Sequence, residues 1–96
     1  MTRVIWTRQA IEDVEAIKAY VARDSVRYAS LLAERIVAAV GRLESFPESG
    51  RVVPEVGDET LREVVYGAYR IVYRVQPDSV EVVAVHHAAR LLHAPC

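Results

Sequence analysis

The sequence predicts a two-layer α+β domain, and three observations carry that prediction. Apolar residues recur at spacings of three and four through the first half, alternate with period two through the second, and a turn cluster at 46–50 separates the two regimes. The 96 residues, 52% hydrophobic and 26% charged, suit one domain over 1–96 with a single core. That apolar fraction is too high for a disordered chain. No apolar run approaches the roughly 18 residues of a membrane span, and residues 1–20 lack a signal-peptide core. The single cysteine, Cys96, excludes an internal disulfide framework and a cysteine zinc site. A soluble, cytoplasmic domain without metal or cofactor is expected.

Residues 3–6 (Arg-Val-Ile-Trp) read as a first strand, and Thr7 as the N-cap of a helix over 8–23. Ala10, Val14, Ile17 and Val21 form its apolar stripe, widened by Ile11 and Tyr20, while Glu12, Asp13, Glu15 and Lys18 fall mostly outside it. Ser25 caps a second helix carrying Ala29, Leu32, Ala33, Ile36, Val40 and Leu43. The short Asp24-Ser25 connection favours an antiparallel helix hairpin.

Pro47, Gly50, Pro54 and Gly57 mark an irregular stretch. Strands follow at 61–66, 69–75 and 80–86, rich in β-branched and aromatic residues and separated at hairpin lengths, so an antiparallel meander is expected. Alternation puts Tyr69, Ile71, Tyr73 and Val75 on the face that takes the helices. Arg70, Val72 and Arg74 fall on the other face. Gly50 and Gly67 read as turn glycines that permit positive φ. Trp6 is placed at the sheet edge against the helices.

Twelve Lys and Arg meet 13 Asp and Glu, for a formal charge of −1, so any nucleic-acid role requires a local patch. Lys18 is the only lysine, a bias that codon composition explains most simply. Arg62, Arg70 and Arg74 are expected to line up on neighbouring strands, with Arg51 and Arg90 at the rim. This is either a basic binding patch or a solvated face whose arginines pair with Glu63 and Glu81. Val64, Tyr66 and Val72, expected on that same side without cover, favour a binding surface. His86 and His87 are adjacent, so on a strand they face opposite ways and cannot share a metal. His87, grouped with Val83 and Val85, is placed near the basic side. His93 lies in the tail.

In this order, strand, helix hairpin and meander resemble the ParE/RelE toxin superfamily of bacterial type II toxin–antitoxin modules. The resemblance runs through 10–20, Leu43 with Pro47 and Gly50-Arg51, Arg62 to Tyr66, Tyr69-Arg70-Ile71-Val72-Tyr73, and Val85-His86-His87-Ala88-Ala89-Arg90. It implies one of two activities: RelE-like members cut messenger RNA on the ribosome by acid–base chemistry, whereas ParE-like members poison DNA gyrase without chemistry of their own.

The RNase alternative would use Glu55 as base, Arg70 on the phosphate and His87 as acid. However, the terminal histidine and aromatic residue of RNA-cleaving relatives fall on Ala88 and Ala89, and Lys18 in the first helix rules out a lysine-based site. The leading expectation is therefore a ParE-like gyrase inhibitor and not an enzyme. Its target contacts would be Arg62, Arg70, Arg74, His87 and Arg90. A cognate ParD-like antitoxin, carrying a DNA-binding N-terminal part, would contact Arg51, Val64, Tyr66 and Val72 in a hetero-oligomer. A non-toxic remnant that only binds antitoxin is the third alternative.

Overall fold

The computed structural model describes residues 2–88. Strand β1 (Arg3–Trp6) leads into helix α1 (Arg8–Ala22), and helix α2 (Val26–Gly41) runs on into a 3-10 turn at Arg42–Glu44. Strands β2 (Arg51–Val52), β3 (Leu61–Tyr66), β4 (Tyr69–Val75) and β5 (Ser79–His87) follow. They form one sheet in the order β1-β5-β4-β3-β2. The β3–β4–β5 meander is antiparallel, as expected, and β1 lies parallel to β5. The short strand β2 falls inside the stretch expected to be irregular.

Both caps form. The Thr7 hydroxyl accepts the Ala10 amide at 3.1 Å and donates to the Val82 carbonyl at 2.8 Å, fastening the start of α1 to β5. Ser25 accepts the Tyr28 amide at 3.1 Å. The main core lies between the sheet and α2, which contributes Leu32, Ile36, Ala39 and Val40. Facing them are Ile71 and Tyr73 of β4 and Val80, Val82 and Val85 of β5. Trp6, Tyr69 and Val75 pack partly buried against this core, in line with expectation. Helix α1 is more peripheral, with Ala10 its one fully buried residue. Its stripe is narrower than expected, since Ile11 and Tyr20 are exposed and Arg23 stacks on the Tyr20 ring at 5.5 Å.

The two-residue turn at 67–68 sets Tyr66 opposite Tyr69, with Gly67 at φ 56 and no other positive φ in the turn, the pattern of a type II′ hairpin. This register corrects the expected faces. Val64 lies opposite Ile71 and Arg62 opposite Tyr73, so Arg62, Val64 and Tyr66 point to the helix side. Leu61, Glu63 and Val65 share the back face with Arg70, Val72 and Arg74.

A bulge supplies a second correction. Tyr73 pairs with Val82 and Val72 with Ala84, leaving Val83 as the extra residue. The phase of β5 flips there, so Val80 and Val82 before it, and Val85 after it, all reach the main core. Val83 turns to the back face while His87 stays on the helix side opposite Tyr69, and it is His86 that lies opposite Arg70. The Val85 amide, just past the bulge, donates to the Asp13 carboxylate at 2.9 Å. Asp13 is thus a tie between α1 and the sheet.

The back face is not the open surface expected. Val53, Leu61 and Val72 form a second small core, packed by Val56, Val83 and Ala84. The segment between β2 and β3 folds over it through two turns, with the Val56 and Gly57 amides donating to the Val53 carbonyl and Leu61 to Asp58.

Gly50 is needed for close approach and not for positive φ, another departure from expectation. A Cβ there would lie 2.6 Å from the Glu63 carbonyl and 2.7 Å from the Tyr73 hydroxyl, which accepts the Gly50 amide at 3.0 Å. Gly50→Ala should therefore cost about 1–3 kcal/mol in denaturant unfolding. Gly41→Ala, with open space around it at the end of α2, should stabilise by about 0.4–1 kcal/mol. Burial raises the Tyr73 phenol above its ordinary value. The unfolded chain then ionises this group first, so stability should fall as pH rises past about 10. Tyr73→Phe should flatten that alkaline slope in melts recorded across the range.

Candidate functional site

The back face holds a linked set of ion pairs centred on Arg70 and Glu63. Glu63 follows Arg62 in β3, and its side chain is wholly buried opposite Val72. Its Oε1 accepts a hydrogen bond from Arg70 Nε at 2.6 Å and forms an ion pair with Nη2, also at 2.6 Å. Its Oε2 accepts a hydrogen bond from Arg51 Nε at 2.6 Å and forms an ion pair with Arg51 Nη2 at the same distance. The guanidinium of Arg70, 4% exposed, turns its other edge to Glu55, with Nη1 at 2.6 Å from Oε2 and Nη2 at 2.9 Å from Oε1. This is two-pronged carboxylate recognition, the geometry for which a planar guanidinium is suited. The Glu55 hydrogen bonds, with help from Glu63, raise the Arg70 pKa further against the opposing effect of burial.

The expected arginine row is thus divided. Arg62 lies on the helix side, where Nη1 donates to the Gly50 carbonyl at 3.0 Å. Arg70 is inside, and Arg74 is half-buried on the back face, 3.7 Å from Asp58. Asp58 is that arginine's ion-pair partner, not the expected Glu81, although Glu81 lies opposite Arg74 in register. Hydrogen bonds from the Thr60 hydroxyl at 2.7 Å and amide at 2.9 Å lower the Asp58 pKa. Arg51 remains largely exposed despite its pairing with Glu63. Arg90 lies outside the described residues.

The surface grouping expected of Val64, Tyr66 and Val72 does not form. Val64 and Tyr66 are half-buried on the helix side, where Arg35 of α2 reaches the Tyr66 hydroxyl at 3.5 Å, and Val72 is sealed in the small back core. Val65 is the exposed apolar residue of β3 on the back face.

Glu55 and Arg70 are joined as a base-and-phosphate site would require, but as partners of each other. His87 stands on the opposite side, its ring edge-on to Tyr69 at 5.9 Å. His86 was not expected to matter. Its Nδ1 lies 3.2 Å from the His87 carbonyl, and its Nε2 is buried without a hydrogen-bond partner. Glu63 was foreseen only as a surface ion-pair partner. Among the described residues there is no cluster of His, Cys, Asp or Glu able to hold a metal, and no helix long and apolar enough to cross a membrane.

Two helices over a five-stranded sheet in the order β1-β5-β4-β3-β2 define a two-layer α+β domain. The fold matches a chain of the solved structure described as "Chromosomal ParDE TA system from P. aeruginosa", with TM-score 0.74 and 22% identity, over 91% of this chain and 96% of that one. The family model for "ParE toxin of type II toxin-antitoxin system, parDE" matches residues 4–92, and the chain belongs to this family. Toxin RelE2 of Caulobacter vibrioides is 39% identical over 92 residues, spanning 95% of this chain and all of that protein. Putative toxin Y4kP of Sinorhizobium fredii is 35% identical, over 90% of this chain and 88% of its own length.

Removing the Glu63 carboxylate leaves the buried Arg70 charge without its inner partner. Glu63→Ala should cost about 3–5 kcal/mol in urea unfolding. Arg51→Ala, at the solvent end of the same network, should cost no more than about 1 kcal/mol.

Proposed function

We propose that this toxin arrests growth by binding DNA gyrase in the bacterial cytoplasm and trapping the enzyme on cleaved DNA, without chemistry of its own. The observation that carries this reading is the separation of the RNase candidates. An acid–base nuclease needs its base, acid and phosphate-binding cation around one reacting phosphate. Here Glu55 is spent on Arg70, Arg70 is enclosed by two carboxylates, and His87 lies across the sheet from both. A protein acting by contact alone needs none of them assembled. Arg74, from the expected target set, and Arg51, which was expected to meet the antitoxin, both reach solvent on the back face, and they are the proposed target contacts.

The proposed neutralising partner is a ParD-like antitoxin, its DNA-binding part distant from the toxin, in a hetero-oligomer. Its landing area is supported by apolar side chains on the helix side that no other described residue covers. Trp6, Ile11, Val14 and Val37 line a shallow apolar groove, and Tyr28 and Leu31 are exposed farther along α2. Exposed apolar patches of this kind mark surfaces that a partner segment buries as it folds.

The toxin, incubated with gyrase, ATP and circular plasmid and then treated with detergent and protease, should yield linear DNA only when both proteins are present. Fully supercoiled, uncut plasmid in the presence of folded toxin overturns the proposal.

A further inference from the structure

Strand β2 covers only part of the outer edge of β3. Arg51 and Val52 lie opposite Glu63 and Arg62, and the Val53 amide donates to the Leu61 carbonyl at 3.1 Å. Backbone groups alternate in direction along a strand, so those of Leu61, Glu63 and Val65 point away from β4. Ahead of Gly50 the chain turns off, with the Ser49 amide donating to the Phe46 carbonyl, and β2 does not reach Val65. The Val65 N–H and C=O therefore face outward at a sheet edge where its side chain is itself 49% exposed.

A groove of about 550 Å³ runs beside this edge. Ala39, Arg42 and the largely exposed Phe46 line one side, with Val64, Val65 and Arg51 across from them. Its charge is one-sided. Glu63, the only carboxylate in the lining, is wholly buried and already bound by Arg51 and Arg70. Arg42 makes no ion pair among the described residues, and Arg51 keeps most of its side chain in water. Arg35, about two helical turns before Arg42 on α2, reaches the Tyr66 hydroxyl at the far end of β3. A nucleic-acid backbone would satisfy these arginines but offers no donor to the Val65 carbonyl and nothing apolar to Phe46. An extended peptide supplies all three: ladder hydrogen bonds, apolar side chains and carboxylates.

We propose that the outer edge of β3 at Val65 is a strand-addition site for an extended, acidic segment of a partner protein. The incoming strand takes the place that β2 leaves empty. Its residue opposite Val65 projects to the back face beside Arg51, and the neighbours on either side project towards Val64, Phe46 and Arg42. Main-chain bonds hold the segment, and the arginines select it by charge. This edge is formed by β3 and the end of α2, apart from the groove at Trp6 and Ile11, and the inference does not rest on gyrase being the target.

The probe is a blocked eight-residue peptide of alternating valine and glutamate, which in one register turns its carboxylates towards Arg51 and in the next towards Arg42. A twin carries lysine for glutamate, and a third peptide is N-methylated at alternate residues along one edge. Hydrogen exchange and amide shifts of the whole chain are followed by NMR during titration. The acidic peptide should saturate in the millimolar range or tighter and slow exchange of the Val65 amide at least tenfold. The lysine twin should bind at least tenfold more weakly, as should the acidic peptide to Arg42→Glu. Val65→Pro removes the outward N–H without taking a bond from the β3–β4 ladder, and should lower affinity by a similar factor. If that variant does not fold, the N-methylated peptide decides, since it should not bind. Equal binding of the lysine twin or of the N-methylated peptide overturns the proposal. So does saturation that moves Trp6, Ile11 and Val37 and leaves Val65 unchanged. Protection of Val65 that grows with protein concentration in the absence of peptide would place a second copy of this chain on the edge, and overturns it too.

Discussion

The Arg70–Glu63 pair is the constraint around which the back of this molecule is arranged. A carboxylate and a guanidinium deep in a sheet face each carry a desolvation cost that mutual attraction offsets only when the geometry is good and further hydrogen bonds complete the set. Glu63 completes its set with Arg51, which brings β2 to the sheet edge. Arg70 completes its own with Glu55, which brings in the turn beyond β2. One ion pair thus positions two segments that carry little regular structure of their own. Val53, Val56, Leu61 and Val72 then close beneath them as a small apolar layer. The pair contributes placement more than net stability, whereas the larger core under α2 is the main source of hydrophobic stabilisation.

The molecule accordingly has two unlike sides. On one, α2 is fully docked, α1 is held through Thr7, Asp13 and Ala10, and apolar side chains remain at the surface. On the other, charges are paired inside, and Val65 is exposed beside the polar residues of the turn that follows β2. The family relationship fits this division of labour: a toxin held silent by a partner needs one surface that a folding segment can grip and another that meets its target.

Most of the fold was legible because its signals are local. Thr7 and Ser25 mark helix starts, the change of period near residue 46 marks the passage to strands, and Gly67 marks a two-residue turn. The faces of β3 were legible too, but only by following the turn: two loop residues set Tyr66 against Tyr69, and that alone sends Arg62 and Arg74 to opposite sides. The phase of β5 was hidden, because Val82-Val83-Ala84 is apolar throughout and an extra residue in such a run leaves no break in the alternation. The covered back face had a faint signal in Val53 and Val56, two apolar residues in a stretch otherwise rich in turn formers. The partners of Arg70 lie seven and fifteen positions away along the chain, and no period links them.

The parallel joint between β1 and β5 bears on how the chain comes into being. Residues 3–6 pair in register with residues 79–82, and β5 fills the second place in the sheet instead of an edge. Synthesis therefore delivers the helix hairpin long before the strand that joins the first segment to the meander. Contacts so distant in sequence close late, after local hairpins and helices have formed. A nascent copy on the ribosome lacks a finished sheet until nearly the whole of the described chain has emerged, so the completed sheet is among the last things its message specifies.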